Sequence, residues 1–481
     1  MYRQQANLLF LYKNLYHLFH FMTTIMHIAS LTTRLQFRKN RLILAAVILL
    51  LFSGVKSFSQ PGTKLLKSVT LIDGTGAAPV ENVDILIEGK RIKTIGKNIQ
   101  ANAETVISLE GQTVMPALLC AHAHIGTIKG TTSSAENYTR ENVLRQLKKY
   151  QDYGVSAILV MGTDRPLIFN GMRDSTVAGL LPGARLFSAG YGFNTPDANP
   201  GSWMNLLQRP ATPEDVPAMV AKVAALKPTV LKLWVDDHGG GQKMKPEIYK
   251  AIIAEAHKRN IRVAAHLFYA EDANALIDAG LDIIAHSIRD KEVDAALLAK
   301  MKQKNVIYIP TLTLDEYQFA YADSPEWINE PFFKASLEPG VFEMITDKEY
   351  GNKIKSSPDY QKNILANKIA MRNLKKISDA GITVALGTDS GAFPVRTQGF
   401  TEHLEMEVMV EAGLSPLQVI TASTRNAARA LKVDKDHGTL EKGKVADLII
   451  LSADPTKDIK NTRKINSVWK DGNAVSKGPL N

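Results

Sequence analysis

Val114–Gly126 reads VMPALLCAHAHIG. An apolar run closes on two histidines, His122 and His124, with one residue between them. On a β-strand, side chains i and i+2 point to the same side. At the C-terminal tip of a strand, the two imidazoles would therefore face one space, as two neutral nitrogen ligands of a divalent metal must. A His-x-His pair is also a frequent chance match, so its meaning depends on the other strand ends.

Working outward, His266 closes RVAAH, His286 closes LDIIAH, and Asp389 follows in TVALGTD. Each stands at the tip of a run that reads as a buried strand. The predicted strands are Thr113–Cys120, Ala157–Met161, Arg185–Ala189, Val230–Val235, Arg262–His266, Asp282–His286, Val306–Pro310 and Thr383–Gly387. Amphipathic stretches such as Pro246–Arg259, Ala270–Ala279 and Asn363–Ala380 lie between them. Eight strands alternating with helices predict an α/β protein with a (β/α)8 TIM barrel, in which catalytic groups gather at the C-terminal strand ends. An open doubly wound sheet is the competing topology, but no G-x-G-x-x-G follows the first strand.

Lys232 sits inside the apolar run TVLKLWVDD. Lysine is rarely buried without a partner. Leu231 and Leu233 face the opposite way, so Lys232 points either into the barrel or, as a snorkelling side chain, into the helix layer. An ammonium beside two metal ions would be repelled, whereas a neutral amine or a carbamate would not.

The flanks have a different texture. Residues 64–116 and 438–475 carry short strand-like runs, such as VDILIE and ADLIIL, with Gly89–Lys90, Gly443–Lys444 and Asp471–Gly472 as turns. These are hairpin signals, and the two β-rich pieces are expected to pair into one small sandwich. The expected divisions are an export signal with its upstream extension over 1–59, the N-terminal piece of the sandwich over 60–116, the barrel over 117–436 and the C-terminal piece of the sandwich over 437–481. Residues 313–361 form a long insert holding Tyr317, Phe319, Tyr321, Trp327, Phe332, Phe333 and Tyr350. It reads equally as a cap over the site and as an excursion with its own small core.

Leu42–Phe52 (LILAAVILLLF) is an apolar run of eleven residues preceded by Arg38, Lys39 and Arg41 and followed by small and polar residues. That is the layout of a secretory signal. It is short beside the roughly 20 apolar residues of a spanning helix. Export to the periplasm or beyond is expected, with cleavage near Ser57 or Ser59. An uncleaved membrane anchor and a buried helix are the alternatives. Met22 or Met26 could be the true start.

Among 481 residues, 45% are hydrophobic and 22% charged, an ordinary globular balance. The net charge is +10, but residues 1–60 hold seven basic and no acidic side chains, leaving +3 for the rest. The charge therefore gives no support to a nucleic-acid partner. Cys120 is the single cysteine, which rules out an intramolecular disulfide and a zinc site built from several cysteines.

Taken in order, MPALLCAHAH, LKLWVDDHGGG, AAHLFYAED, DIIAHS, LGTDSG, EMEVMVEAGLSPLQVITASTRNAARAL and GTLEKGKVADLIILSADP resemble the amidohydrolase superfamily. Within it, they resemble the imidazolonepropionase-like and Xaa-Pro dipeptidase-like members, over residues 64 to 475. The resemblance implies two divalent metal ions, with zinc favoured by ligand type. His122, His124 and Asp389 would hold one ion, His266 and His286 the other, and a carboxylated Lys232 would bridge them. It implies hydrolysis of a carbon–nitrogen bond in a dipeptide or N-acyl amino acid by metal-activated water, with Asp389 as general acid/base. The chain departs from the family pattern at Ala117 and Cys120, where Gly and Asp are usual, and at Ala285, where Glu often stands.

Candidates for substrate contact are His238, Phe268, Tyr269, Arg289 and Arg396, each with an ordinary loop role as its alternative. An arginine would suit a substrate carboxylate. His257 and His403 read as ordinary helix or loop residues. Two other functions stay open. One is a single-metal deaminase or cyclic-amide hydrolase, for which Glu271, five residues after His266, is the candidate acid. The other is a non-catalytic binding protein of the cell envelope. A small-molecule substrate is the expected partner, with a homo-oligomer as the expected assembly.

Overall fold

The computed structural model describes residues 62–197, 204–237 and 242–481. The apolar run 42–52 and His238 lie outside the described residues. Gly62–Asn481 forms one compact unit.

The described residues begin with β1 (Thr63–Leu71), β2 (Val80–Glu88), β3 (Arg91–Gly96), β4 (Thr105–Ser108) and β5 (Thr113–Pro116). Next come β6 (Leu118–Ala123), a short hairpin of β7 (Ile128–Lys129) and β8 (Thr132–Ser133), and then β9 (Val155–Val160), β10 (Arg185–Ser188) and β11 (Val230–Trp234). They are followed by β12 (Arg262–His266), β13 (Ile283–Ala285), β14 (Ile307–Ile309) and β15 (Thr383–Val384). The chain closes with β16 (Leu448–Leu451), β17 (Ile465–Lys470) and β18 (Asn473–Ser476).

The two ends of the chain share one eight-stranded sheet, ordered β18-β17-β16-β5-β1-β2-β3 with β4 beside β1. β5 pairs with β1 in parallel and with β16 antiparallel. Leu66, Val83, Ile85, Ile87, Val114, Leu448, Ile450 and Trp469 from both ends fill its core. A backbone bond from Ile92 N–H to the Lys444 carbonyl (2.9 Å) brings β3 back to the segment before β16.

The other strands form two parallel sheets, β10-β9-β6 and β11-β12-β13-β14-β15. Their edges are tied at both sides. Phe193 bridges Leu233, and its N–H donates to the Lys232 carbonyl (2.8 Å). Ala123 bridges Ser390, with Ala121 N–H on the Leu386 carbonyl at 2.8 Å. Helices separate the strands much as their apolar spacing predicts. Pro246–His257 opens with proline at its first turn, where a missing N–H costs nothing. It buries Ile248, Tyr249, Ile252, Ile253 and Ala256 on one face.

The predicted strand Thr113–Cys120 is two strands. Pro116 ends β5, and Ala117 N–H already turns to the Asp447 carbonyl (3.1 Å), while Leu118 N–H bonds the Gly154 carbonyl (2.9 Å). Proline has no N–H to carry a ladder onward, and the chain changes sheets there. Beside this junction, the Arg185 guanidinium meets Asp447 (2.5 Å) and Asp471 (2.9 Å), a buried link between β10 and the terminal sheet.

Residues 313–361 are a packed excursion of short helices. Tyr317, Tyr321, Trp327 and Phe333 interlock, and Trp327 and Phe333 also pack on Phe400 at ring separations of 5.2 and 4.9 Å. Leu314 and Gln318 reach the site's wall. No helix among the described residues is long and apolar enough to cross a membrane.

Candidate metal centre

A cavity of about 510 Å³ opens at the C-terminal ends of the parallel strands. His122, His124, Lys232, His266, His286 and Asp389 all line it, together with Thr163, Trp234, Asp236, Arg289 and Arg396. These six residues converge because each lies within a parallel strand of the same polarity or in the loop that directly follows its C-terminal end. Lys232 faces the cavity, not the helix layer.

His122 and His124 turn their Nε2 atoms to one oxygen of Asp389, at 3.1 and 2.9 Å. The three ligand atoms lie within 4.8 Å of one another, close enough to hold one ion. His122 and His286 rings are 4.5 Å apart, and His266 and His286 rings 4.3 Å. Outer hydroxyls orient two of the imidazoles: Thr163 Oγ1 meets His124 Nδ1 at 2.7 Å, and Thr311 Oγ1 meets His286 Nδ1 at 2.8 Å. Partners on the far nitrogen fix a ligand's ring and strengthen its donor atom.

Three residues here hold a left-handed backbone: His286 (φ 94°), Thr311 (φ 49°) and Asp389 (φ 58°). Such non-glycine conformations cost about 1–3 kcal/mol each and persist where the surroundings impose them. Gly387 meets a different demand. A Cβ there would lie 2.7 Å from His122 Cβ and 2.4 Å from Ile309 Cγ2, so only glycine lets the strands close beside the ligand pair.

Burial dominates the electrostatics. It pushes the His122 imidazolium down to about 3, with the nearby Lys232 charge adding to the effect. Burial also lowers His286, helped by its histidine neighbours, and lowers His266, where Lys232 adds and Asp236 opposes. Neutral imidazoles are what metal coordination requires. For Asp389, burial works against ionisation, yet the His124 ring, hydrogen bonds from both imidazoles and Arg396 hold its carboxyl well below the usual range. Burial brings the Lys232 amine down to about 7. Its Nζ is fully buried with no hydrogen-bond partner, and His122 Nδ1 is likewise unpartnered.

The remaining candidates divide. Arg289 lines the cavity, pairs with Asp315 (3.0 Å) and lies over the Phe268 ring (4.6 Å). Arg396 pairs with the second Asp389 oxygen and lies over Phe393 (5.0 Å). Phe268 and Tyr269 stand behind this wall, with Tyr269 under Lys243. Glu271 is exposed on its helix. His403 is buried between Tyr153 and Thr462, and His257 pairs with Asp282, both away from the cavity. Cys120 lies beneath the ligand pair. Its thiol, pushed up by burial, meets the His122 carbonyl (3.2 Å) and Thr388 Oγ1 (3.6 Å). Sequence reasoning assigned no role to Asp236, whose carboxylate is 2.6 Å from His266 Nε2. The acidic pair after the fourth parallel strand, Asp236–Asp237, was its only signal.

Histidines and an aspartate gathered at the ends of parallel strands give an α/β protein with a candidate metal centre. Residues 113–475 match the family model described as the amidohydrolase family, and the chain belongs to that family. It is 34% identical over 111 residues to an imidazolonepropionase of Shouchella clausii, a match covering 22% of this chain and 24% of that protein. It is 23% identical over 443 residues to an adenine deaminase of Clostridium botulinum, covering 89% of this chain and 59% of that one. The chain thus spans less than two thirds of each of these relatives. A crystal structure of a Xaa-Pro dipeptidase with bound methionine in its active site superposes with a TM-score of 0.68 at 23% identity, covering 86% of this chain and 99% of that chain.

Proposed function

We propose that this protein hydrolyses a carbon–nitrogen bond of amide type, in a dipeptide or N-acyl amino acid, at a site for two divalent ions. Zinc is the ion the nitrogen-rich donor set favours. His122, His124 and Asp389 would hold one ion and His266 and His286 the other, with Lys232 carboxylated between them. The observation that carries this reading is the Lys232 amine. It is buried in the cavity without a hydrogen-bond partner, over the Trp234 ring at 5.2 Å and among four imidazoles and Asp389, a position costly for a permanent ammonium but suited to a carbamate. We further propose that the two parallel sheets, tied at Phe193–Leu233 and Ala123–Ser390, form one closed (β/α)8 barrel with the terminal sheet as its composite sandwich.

When bound, the ions lower the pKa of water and polarise a carbonyl. The chain's own residues supply the rest. Asp389, ionised and at the cavity wall, accepts the proton of the attacking water and returns it to the leaving amine. Arg289 and Arg396, both on that wall, suit the carboxylate of an amino-acid substrate. The amino acid bound in the Xaa-Pro dipeptidase is in keeping with such a site.

The single-metal deaminase reading draws on the adenine deaminase similarity. The exposure of Glu271 weighs against it, since an acid there is not aimed into the cavity. We also propose export through the run 42–52, which fractionation of the producing cell would test. The central test is elemental analysis with a panel of dipeptides, N-acyl amino acids and aminopurines. Two ions per subunit and amide turnover are expected. A metal-free protein after reconstitution, or turnover of aminopurines alone, would reject the reading.

A further inference from the structure

Helix Phe400–Glu411 carries Glu402 and Glu405, both fully buried. No basic side chain among the described residues forms an ion pair with either. Buried carboxylates are costly unless their oxygens are taken up by donors, so where those donors lie is informative. One Glu402 oxygen accepts from Thr388 Oγ1 and from Ser390 Oγ, each at 2.7 Å, and the other accepts from Gly399 N–H at 2.8 Å. Thr388 and Ser390 are the two neighbours of Asp389. Glu405 accepts from Leu312 N–H (2.8 Å), Thr313 N–H (2.8 Å) and Thr313 Oγ1 (2.7 Å). Those residues directly follow Thr311, whose hydroxyl meets His286 Nδ1.

The two clamps thus grip two of the site's three left-handed loops, those at Asp389 and at Thr311. Neither loop makes the grip by itself. The helix is in turn fixed from outside by Tyr317 OH on Thr401 Oγ1 (2.8 Å) and by the aromatic packing on Phe400.

We propose that Glu402 and Glu405 are separate positioning residues for the two halves of the metal centre, Glu402 setting Asp389 and Glu405 setting His286 through Thr311. The proposal rests on the two-ion reading above. One turn of one helix thereby sets the spacing of the two ion sites. Removing either clamp should loosen one ion and leave the other.

The test is a Zn²⁺ titration of the full chain by calorimetry, with metal content after dialysis and thermal unfolding as controls. Glu402→Ala should weaken binding of one ion by about tenfold or more, in the range seen for lost outer partners of metal ligands, and leave the other within about twofold. Glu405→Ala should do the same to the opposite ion, and the double variant should lose both. Glu402→Gln, which keeps a carbonyl oxygen for the two hydroxyls, should restore most of the affinity lost in Glu402→Ala. If Glu402→Ala does not fold, Thr388→Val with Ser390→Ala removes the same two bonds. Unchanged affinity for both ions in the variants would overturn the proposal while leaving the two-ion reading intact. Equal loss of both ions in each single variant would overturn it too, marking the helix as general scaffold. A wild-type chain that takes up no Zn²⁺ would overturn the two-ion reading and the proposal with it.

Discussion

Replacing Lys232 by Met should stabilise the metal-free protein and destabilise the metal-loaded one. The side chains are similar in length, so packing is largely kept. In the folded chain, burial moves the Lys232 titration from 10.5 to about 7. At about 1.4 kcal/mol per tenfold change in proton affinity, that shift opposes folding by up to about 5 kcal/mol. Because the folded value is the lower one, the unfolded chain binds this proton more tightly. The cost is complete below about pH 7 and shrinks as pH rises toward 10.5, where the unfolded lysine also loses its proton. Urea unfolding in chelator and carbonate-free buffer should show Lys232→Met more stable by about 3–5 kcal/mol at pH 6 and by roughly 2 kcal/mol at pH 9. With Zn²⁺ and bicarbonate present, the order should reverse, since the wild type gains a ligand the variant lacks. A variant that is less stable than wild type at pH 6 without metal would refute the reasoning, because it would mean the amine has a stabilising partner.

With Zn²⁺ in excess, Asp389→Asn should keep most of the bound metal while turnover falls by about a hundredfold or more, checked by elemental analysis beside initial rates. Thr311→Val removes the hydroxyl on His286 Nδ1 and should weaken one ion by about 10–100-fold, read by competition with a chromogenic chelator. Gly387→Ala drives a Cβ against His122 and Ile309, and should cost both metal affinity and about 1–3 kcal/mol of stability, the latter measured by denaturation. Asp447 is held well below the usual carboxylate range. Burial opposes this, but His437 and Arg185 outweigh it. Its contribution is present above about pH 4 and lost as pH falls, and Arg185→Met should flatten that acid limb of the stability profile.

Much of the site was legible because its chemistry sits on strand ends. An apolar run that stops at His266, His286 or the GTD of Asp389 announces a tip, and all five candidate imidazole and carboxylate ligands follow that pattern. Lys232 was legible as an anomaly, although only the fold shows which layer it faces. The break at Pro116–Ala117 was hidden because the apolar run is buried on both sides of it, first in the terminal sheet and then in β6. The outer partners left no trace: Thr163, Thr311, Glu402 and Glu405 meet their partners only through hydrogen bonds made across the fold. A threonine in a loop or a glutamate on a helix is too ordinary to stand out in a string of letters. Residues 313–361 had two readings, a cap or an excursion with its own core; the segment packs its aromatics into the main core and sends Leu314 and Gln318 to the cavity wall.

The shared terminal sheet sets an order of events at the ribosome. β1, β2, β3 and β5 emerge early, but the central strand β5 has an open edge until Leu448–Leu451 arrives to pair with it. Until then Val114 and its apolar neighbours lack the side chains of Leu448, Ile450 and Trp469 that cover them. An unfinished chain therefore displays the unpaired, apolar edge of β5, and a finished one covers it with β16. Synthesis that stops short of β16 leaves a product that quality-control proteases can tell from the whole, and full-length translation becomes a condition of stable folding.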